Sequence, residues 1–445
     1  MNKIISDIID ELIDQYREKD RYNRPWIIGF SGGKDSTALL TLTWMALNKL
    51  KLKKPGVELH RKVFVVCNDT LVENPIIIQY INEVLTKIEK AALEQNLPII
   101  VRKTIPKVED SFWSCVIGKG YPVPNNAFRY CTERLKIKPT SEFIENEVSE
   151  NGEAIILIGT RSAESKQRAR SIKKHEITGQ RLSKHPLNPN TYTYAPIKNL
   201  YLEDVWYIIR SLESPWGAKN NTLFQIYSDA SAEDYECPTV VTDETHKSCG
   251  QSRFGCWVCT VVKEDKSMSG LIASGETWMQ PLLEFRNKLV ENRNVSHNRS
   301  STRRNGQPAV DETGHNMGNY TIQYRQELLK ELLTIQKEIK KIKPHIELIN
   351  NQELTSIQVI WYRDGEFKNS VNNIYHSVYG NRLEINSDFN ERLLLKQSCN
   401  KSTADYNLIK ELMELQERKN ILMKNYGFYK DLESRIEDYI NKNLC

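Results

Sequence analysis

Apolar and polar residues follow two different spacings along the first half of the chain. Helical spacing of apolar residues occurs in four segments, at residues 1–20, 36–50, 75–93 and 202–212. Short runs rich in apolar and β-branched residues also occur, at residues 26–30, 61–67, 97–103 and 154–158. This alternation predicts an α/β fold with a parallel sheet flanked by helices. In such open sheets ligands bind at the carboxyl ends of the strands, so candidate chemistry is expected there.

The second half of the chain changes character twice. Residues 228–262 contain four of the nine cysteines, and residues 270–318 are polar and basic. Helical spacing returns at residues 320–343 and again at residues 406–440. We therefore predict three regions: an α/β domain, a cysteine-rich insertion with a basic loop, and a helical C-terminal region, at residues 1–227, 228–319 and 320–445.

Composition narrows the class of protein. The apolar runs are no longer than strands, well short of the roughly 18 residues that a membrane span needs, so no membrane partner is expected. Four acidic residues lie among the first 14, which is not typical of a signal or transit peptide. Nine cysteines is an odd number in a chain of 445 residues and does not suggest a disulfide scaffold. The sequence predicts a soluble cytoplasmic protein.

Positive charge is concentrated in two stretches, although the whole chain nets only +5. Residues 161–184 contain eight basic and two acidic residues, and residues 286–304 contain six basic residues and one acidic residue. One interpretation is a pair of solvated loops. The other is contact with the phosphates of a nucleotide or a nucleic acid.

A Ser-Gly-Gly-Lys-Asp-Ser string lies between the first predicted strand and the helix that follows it. Two glycines allow a tight turn and close approach of a ligand to the backbone. The helix that follows presents unpaired N–H groups and a positive dipole end, which suit an anion. The string is one residue too short for a Walker A loop, and an aspartate stands where Ser or Thr would hold magnesium. It predicts a phosphate site rather than an ordinary turn, formed by Ser31, Gly32, Gly33, Lys34, Asp35 and Ser36.

A second polar string, Gly-Thr-Arg-x-x-Glu-Ser-x-x-Arg, follows the predicted strand at residues 154–158. Arg161 and Arg168 offer planar guanidinium groups for phosphate oxygens. They are seven residues apart, so they share a face if the segment is helical. Glu164 is expected to orient an arginine or to bind magnesium.

Three cysteines have the spacing of a soft-metal site. Cys256 and Cys259 form a C-x-x-C pair, and Cys249 lies seven residues before it. Zinc and iron–sulfur clusters both accept such thiolates, and both need a fourth ligand. Cys131 and Cys237 are the candidates, and buried apolar cysteines are the alternative to any metal site.

Together these strings resemble the N-type ATP pyrophosphatases, the superfamily of phosphoadenosine phosphosulfate (PAPS) reductases, ATP sulfurylase small subunits and tRNA thiolases. The resemblance implies the adenine nucleotide alpha hydrolase-like fold of the PAPS reductase type. It implies that the phosphate loop binds ATP together with residues at two later strand ends, which are Asn68, Asp69, Gly159, Arg161 and Glu164. The catalytic residues that it implies are Lys34, Asp35, Arg161 and Arg168, acting with Mg²⁺.

The resemblance also implies which kind of metal site the cysteines form and which cysteines hold it. In iron–sulfur members of the superfamily, a cysteine segment before a Lys-Pro stretch joins a distant C-x-x-C pair. Cys131 precedes Lys136-Ile-Lys-Pro, so the resemblance implies a [4Fe-4S] cluster on Cys131, Cys249, Cys256 and Cys259. The reductases have two adjacent cysteines where this chain has Tyr130 and Cys131, and Cys237 stays the alternative ligand.

Residues 248–262 and 129–136 resemble the DndC-type sulfurtransferases of bacterial DNA phosphorothioation. This resemblance implies hydrolysis of ATP to AMP and pyrophosphate, with adenylation activating a phosphate oxygen for replacement by sulfur. It implies three partners: a cysteine desulfurase as sulfur donor, other subunits of a phosphorothioation complex, and DNA. The basic stretch at 161–184 is then expected beside the active site, and that at 286–304 as a mobile loop near the cluster. The alternatives are a sulfonucleotide (PAPS/APS) reductase and a non-catalytic ATP-sensing subunit.

Overall fold

A computed structural model describes most of the chain, with gaps. The described residues are 3–18, 23–53, 59–177, 179–229, 255–366, 370–381, 383, 404–405, 407–409, 411–412 and 434–440. Cys237 and Cys249 lie outside them, as does much of the helix predicted at residues 406–440. In the described ranges no helix is long and apolar enough to cross a membrane.

The sheet has six strands, and its neighbours pair in parallel except at one edge. The strands are β1 (Trp26–Gly29), β2 (Val63–Asn68), β3 (Ile99–Thr104), β4 (Ala154–Leu157), β5 (Ser183–Lys184) and β6 (Thr191–Tyr194). Their order is β3-β2-β1-β4-β6-β5, with β5 antiparallel to β6. The predicted α/β class with a parallel sheet is confirmed.

Successive residues of the central strands are buried on opposite faces of the sheet. Ile28, Val65 and Leu157 belong to one core cluster, whereas Ile27 and Ile156 belong to a second one. Because successive side chains of a strand point to opposite faces, the sheet is buried on both sides. This explains why these strands read as continuous apolar runs rather than as alternating patterns.

Among the described residues up to 229, seven α-helices accompany the sheet. They are α1 (Lys3–Arg17), α2 (Lys34–Lys53), α3 (Pro75–Glu94), α4 (Lys138–Asn151), α5 (Lys166–His175), α6 (Leu202–Ser211) and α7 (Asn220–Asp229). The start of α3 illustrates why they begin where they do. The Asn74 side chain accepts a hydrogen bond from the N–H of Ile76, and Pro75 occupies the first helical position.

Strand β1 lies between β2 and β4, and this arrangement positions the site. From β1 the chain proceeds to β2 and β3 on one side, and it then returns to β4 on the other side. Such a change of direction opens a crevice at the carboxyl ends of the two central strands. The phosphate loop follows β1 and the Gly159–Arg161 string follows β4, so the two predicted motifs meet there.

Between residues 255 and 381, the described part of the chain contains five further α-helices, which pack on the same core. They are α8 (Lys266–Ala273), α9 (Gln280–Glu291), α10 (Ile322–Ile342), α11 (Asn351–Arg363) and α12 (Val371–Tyr379). One buried cluster includes Leu39 of α2, Phe285 of α9, Leu333 of α10 and Trp361 of α11. The hydrophobic core therefore runs through all three predicted regions, whose boundaries stay a prediction.

The basic stretch at residues 286–304 is not a mobile loop, and that expectation is wrong. It begins in α9, and three of its arginines donate hydrogen bonds to backbone carbonyls. Arg286 donates to Cys259 O at 2.8 Å, Arg299 to Gly318 O at 2.6 Å, and Arg293 to Pro124 O at 2.9 Å. Burial lowers the pKa of Arg286 and of Arg299. These guanidinium groups tie chain segments together.

Candidate active site

The turn between β1 and α2 requires a glycine at its first glycine position. Gly32 has a φ of +73°, and a Cβ there would lie only 2.6 Å from Cγ1 of Ile81 in α3. Both the left-handed conformation and the close approach exclude a larger residue. The hydroxyl oxygens of Ser31 and Ser36 lie 3.2 Å apart, and Gly33 N donates to Ser31 Oγ at 3.3 Å. The loop is thus closed on itself around the start of α2.

Two buried cations share the carboxylate of Asp35. Its Oδ1 accepts from Arg161 Nε at 2.6 Å, and its Oδ2 lies 3.4 Å from Lys34 Nζ. The side chain of Lys34 is 0% exposed, and that of Arg161 only 2%. Ion pairs so far from water persist because each charge faces an opposite one. The pair Asp35–Arg161 joins residues 126 positions apart.

Glu164 extends this network to Arg168. Its Oε2 accepts from Arg161 N at 3.3 Å and lies 3.2 Å from Arg168 Nε. Burial raises the pKa of the Glu164 carboxyl, and the charge of Arg168 opposes this rise. Helix α5 starts only at Lys166, so the arginines do not share a helix face as the spacing had suggested. Glu164 connects them instead, and its two expected roles, orienting an arginine and binding magnesium, stay predictions.

The end of β4 approaches the start of α2 very closely. A Cβ on Gly159 would lie 3.1 Å from both the carbonyl carbon and the oxygen of Asp35. Backbone atoms cannot rotate away, so this position also favours glycine. Nearby in sequence, the hydroxyls of Thr37 and Thr160 are buried and have no hydrogen-bond partner among the described residues. Such groups are costly to bury unless a ligand satisfies them.

Asn68 and Asp69 lie at the end of β2 and hold local structure. Asn68 Nδ2 donates to Leu135 O at 3.0 Å, and Asn68 Oδ1 accepts from the Thr104 hydroxyl at 3.0 Å. Asp69 Oδ2 lies 2.9 Å from Lys103 Nζ. The topology places both residues at the ligand-binding edge, next to the strand that carries the phosphate loop.

Asp35 is the residue that suits a magnesium ion. Its Oδ2 is buried and accepts no hydrogen bond from the described residues, although Lys34 Nζ is near. Mg²⁺ is commonly held by one or two carboxylates while substrate phosphates and water supply its other ligands. A single carboxylate oxygen therefore fits an ion that arrives with a triphosphate, whose phosphates Mg²⁺ would neutralise.

The described cysteines do not form a metal site. Cys259 N donates to Cys256 O at 2.9 Å, and the Cys256 Sγ lies 3.3 Å from the hydroxyl of Thr70. Burial and the neighbouring Glu73 carboxyl raise the pKa of the Cys256 thiol. Within the described part of the chain, no three His, Cys, Asp or Glu residues are placed to hold a metal ion. These thiols alone do not fit a [4Fe-4S] cluster, and Cys249 lies outside the described residues.

Three residues beside these motifs escaped the sequence analysis. Tyr227 of α7 accepts a hydrogen bond from Lys34 N at 3.3 Å, and no motif marks it. The Thr70 hydroxyl donates to the Glu73 carboxylate at 2.9 Å and thereby links Glu73 to Cys256. Thr70 directly follows the predicted nucleotide-binding residues Asn68 and Asp69, and this position is the sequence signal that could have found it.

The part of the chain that contains these motifs is similar to known proteins. A family model described as phosphoadenosine phosphosulfate reductase domain matches residues 25–262. The uncharacterized protein MJ0066 of Methanocaldococcus jannaschii is 29% identical over 159 residues, which are 36% of this chain and 27% of that protein. The chain thus spans about a quarter of the length of this curated relative.

Two solved structures are similar only in part. One is the FMN adenylyltransferase of Candida glabrata in complex with FAD and inorganic pyrophosphate, with a TM-score of 0.29 and 16% identity over 54% of this chain and 57% of that one. The other is the phosphoadenylyl-sulfate reductase of Candida auris in a phosphate complex, with a TM-score of 0.29 and 13% identity over 51% of this chain and 92% of that one. Scores this low carry no argument about function.

Proposed function

We propose a function from the premise that this chain belongs to the phosphoadenosine phosphosulfate reductase domain family, whose model covers more than half of it. The proposed function is that of an ATP-dependent sulfurtransferase with ATP pyrophosphatase activity, of the DndC type. It would act in phosphorothioate modification of the DNA backbone. Its partners would be a cysteine desulfurase as sulfur donor and the other subunits of the modification complex.

The observation that carries this proposal is the buried charge network of Lys34, Asp35, Arg161, Glu164 and Arg168. Three of these groups are cationic and two are anionic, so the network has an excess of one positive charge. It lies where the two central strands end and where α2 presents its N-terminus, and both features favour a polyphosphate. The hydroxyls of Thr37 and Thr160, which have no hydrogen-bond partner in the described part of the chain, are further donors for such a ligand.

In this proposal, ATP activates a phosphate oxygen of the DNA backbone for replacement by sulfur. A non-bridging phosphate oxygen is a very poor leaving group. Attack of that oxygen on the α-phosphorus of ATP breaks the bond to pyrophosphate and attaches AMP, which leaves readily. The persulfide sulfur supplied by the desulfurase then attacks the phosphorus of the DNA backbone and displaces AMP. A thiol reductant cleaves the remaining S–S bond, which leaves the phosphorothioate on the DNA. Lys34 and Arg161 are suited to stabilise the negative charge that accumulates on the departing pyrophosphate.

Pyrophosphate release by the full chain, supplied with ATP and Mg²⁺, tests the first step. We expect Arg161→Gln to lower the rate by about 100-fold, the usual size of a lost charge contact in a transition state. Arg363→Gln is the matched control, because Arg363 is an exposed arginine of α11 that belongs to neither proposed site. Release of ADP and orthophosphate would contradict the proposal, and ATP binding without turnover would favour a non-catalytic ATP sensor.

Contact with DNA is a separate part of the proposal, now restricted to α5. This helix directly follows the charge network, and it carries the exposed cations Arg170, Lys173 and Lys174. The stretch at residues 286–304 contributes less, since Arg286, Arg293 and Arg299 bind backbone carbonyls. Arg304 forms an ion pair with Asp364 at 2.7 Å. Backbone phosphates would therefore reach the site along α5.

The [4Fe-4S] cluster also remains a proposal, on Cys131, Cys249, Cys256 and Cys259. Its support is the cysteine spacing and one neighbourhood at the end of β2. Asn68 donates at 3.0 Å to the carbonyl of Leu135, four residues after Cys131. The hydroxyl of Thr70, two residues after Asn68, lies 3.3 Å from the Cys256 Sγ. The two cysteine segments are thus near each other. Since the described thiols do not form the site, no reaction step is assigned to a cluster.

A sulfonucleotide reductase is the second candidate, because the matching family model carries the name of that activity. The two functions differ in their products. Thiol-dependent release of sulfite from PAPS or APS would establish the reductase, whereas ATP-dependent release of pyrophosphate would establish the sulfurtransferase.

A further inference from the structure

The first backbone donor of α2 is occupied by a side chain from another helix. Tyr227 lies 193 residues after Lys34, and its hydroxyl oxygen accepts from Lys34 N at 3.3 Å. The first N–H groups of a helix have no partner within that helix, and they are the donors that a phosphate would take. Thr37 N already bonds Gly33 O at 3.0 Å, so Lys34 N is one of the donors on which an anion depends.

The same tyrosine also covers the Lys34 ammonium group. Lys34 Nζ lies 5.4 Å from the centroid of the Tyr227 ring, within the range of a cation–π contact. Tyr227 is itself only 6% exposed. One residue therefore contacts both a backbone donor and the charged side chain that the phosphate loop offers to a ligand.

Helix α7 holds Tyr227 in place with contacts that do not involve the loop. The ring of Trp206 in α6 packs edge-on against Tyr227 at 5.4 Å and against Phe224 at 5.5 Å. Asn220 Nδ2 donates to Ile209 O at 2.6 Å, which attaches the start of α7 to α6. The tyrosine is thus presented to the loop by a helix pair with its own packing.

We infer that Tyr227 is an internal competitor for the phosphate position, and that the pyrophosphate moiety of a nucleotide displaces its hydroxyl from Lys34 N. This inference rests on the proposed nucleotide site and adds its regulation. The described arrangement is then the closed state, in which α7 blocks the anion site. Ligand binding in the loop would be coupled to α7 and to the aromatic contact with Trp206. A protein or ligand that moves the α6–α7 pair would change nucleotide affinity.

Binding of inorganic pyrophosphate and of Mg·ATP to the full chain, measured by calorimetry, tests this inference. Tyr227→Phe keeps the ring and removes only the competing acceptor, so both ligands should bind about two- to tenfold more tightly, the equivalent of one hydrogen bond. Tyr207→Phe is the matched control, since Tyr207 is a half-exposed tyrosine of α6. Its affinities should equal those of the wild type.

The outcomes are distinguishable. Weaker binding by Tyr227→Phe would make the hydroxyl a ligand of the phosphate and overturn the inference, and equal binding would show that the two do not compete. Failure of the wild type and the variant to bind either ligand would refute the nucleotide site itself. As a second measurement, pyrophosphate should change the tryptophan fluorescence of the wild type, and Trp206→Phe should abolish most of that change. An unaltered response in Trp206→Phe would contradict coupling to α7.

Discussion

Replacement of Gly32 by alanine should destabilise the protein for two reasons that can be separated. The first is backbone strain, because φ is +73° and a non-glycine residue in the left-handed region costs about 1–2 kcal/mol. The second is a clash, because the new Cβ would lie 2.6 Å from Cγ1 of Ile81, itself a buried core residue. Overpacking of this kind costs about 1–3 kcal/mol. The expected loss in the free energy of unfolding is therefore about 2–5 kcal/mol.

Gly217 provides the matched control. Its φ is +71°, but nothing lies within 4 Å of the Cβ that alanine would add. Gly217→Ala should therefore cost only the backbone strain, about 1–2 kcal/mol. Both variants can be compared by urea denaturation followed by circular dichroism. The difference between them measures the contact with Ile81.

A double-mutant cycle provides the decisive result. Ile81→Ala removes Cγ1, so it should be less harmful in the Gly32→Ala background than in the wild type, with a coupling of about 1–3 kcal/mol. Equal destabilisation by Gly32→Ala and Gly217→Ala, with additive effects of Ile81→Ala, would refute the reasoning. The Ile81 side chain of α3 would then be able to move away from a new Cβ, and its contact with the loop would not require glycine at residue 32.

Three further changes test other parts of the molecule. Burial raises the pKa of Glu353 to about 7 from 4.5, so its favourable contribution is complete below pH 4.5 and is lost as the pH rises through 7. Glu353→Gln should therefore raise the melting temperature relative to wild type more at pH 8 than at pH 5. An equal effect at the two pH values would contradict the raised pKa of Glu353. Anaerobically prepared Cys256→Ser should lose the iron and acid-labile sulfide of the wild type. The control variant Cys67→Ala, changed in a buried strand, should retain them. Stoichiometric zinc without sulfide in the wild type would rule out the cluster. Lys173→Gln with Lys174→Gln should weaken DNA binding and lower its salt dependence by a slope of about one per lost phosphate contact. The adjacent pair Lys340 and Lys341 at the end of α10 is the control, and an unchanged slope in the α5 variant would assign DNA binding to a partner protein.

Local patterns were sufficient to predict four of the six described strands of the sheet, whereas β5 and β6 were not predicted. β1, β2, β3 and β4 form within one or two residues of their predicted bounds, because strands buried on both faces need continuous apolar runs. The turn at residues 31–36 was equally predictable, since its glycines, lysine and serines are contiguous in sequence between a strand and a helix. Its binding of phosphate stays a prediction. Contiguity also made α1, α2, α3 and α6 predictable. The helix α7 was missed, because its apolar residues cover only part of one short face.

The sequence by itself therefore determined the α/β class and placed the turn at residues 31–36 after β1 and the candidate arginines after β4. The binding of phosphate by these residues stays a prediction. Only the tertiary structure decided how these groups are paired. Asp35 and Arg161 are 126 residues apart, and Lys34 and Tyr227 are 193 residues apart, so neither contact leaves a trace in local spacing. The basic residues show the same limit: α5 exposes its lysines, whereas Arg286 and Arg299 bind backbone carbonyls in the interior. The sequence shows the same basic residue types in both cases. Whether such a side chain is exposed to water or bound to a carbonyl depends on which segments the fold packs around it.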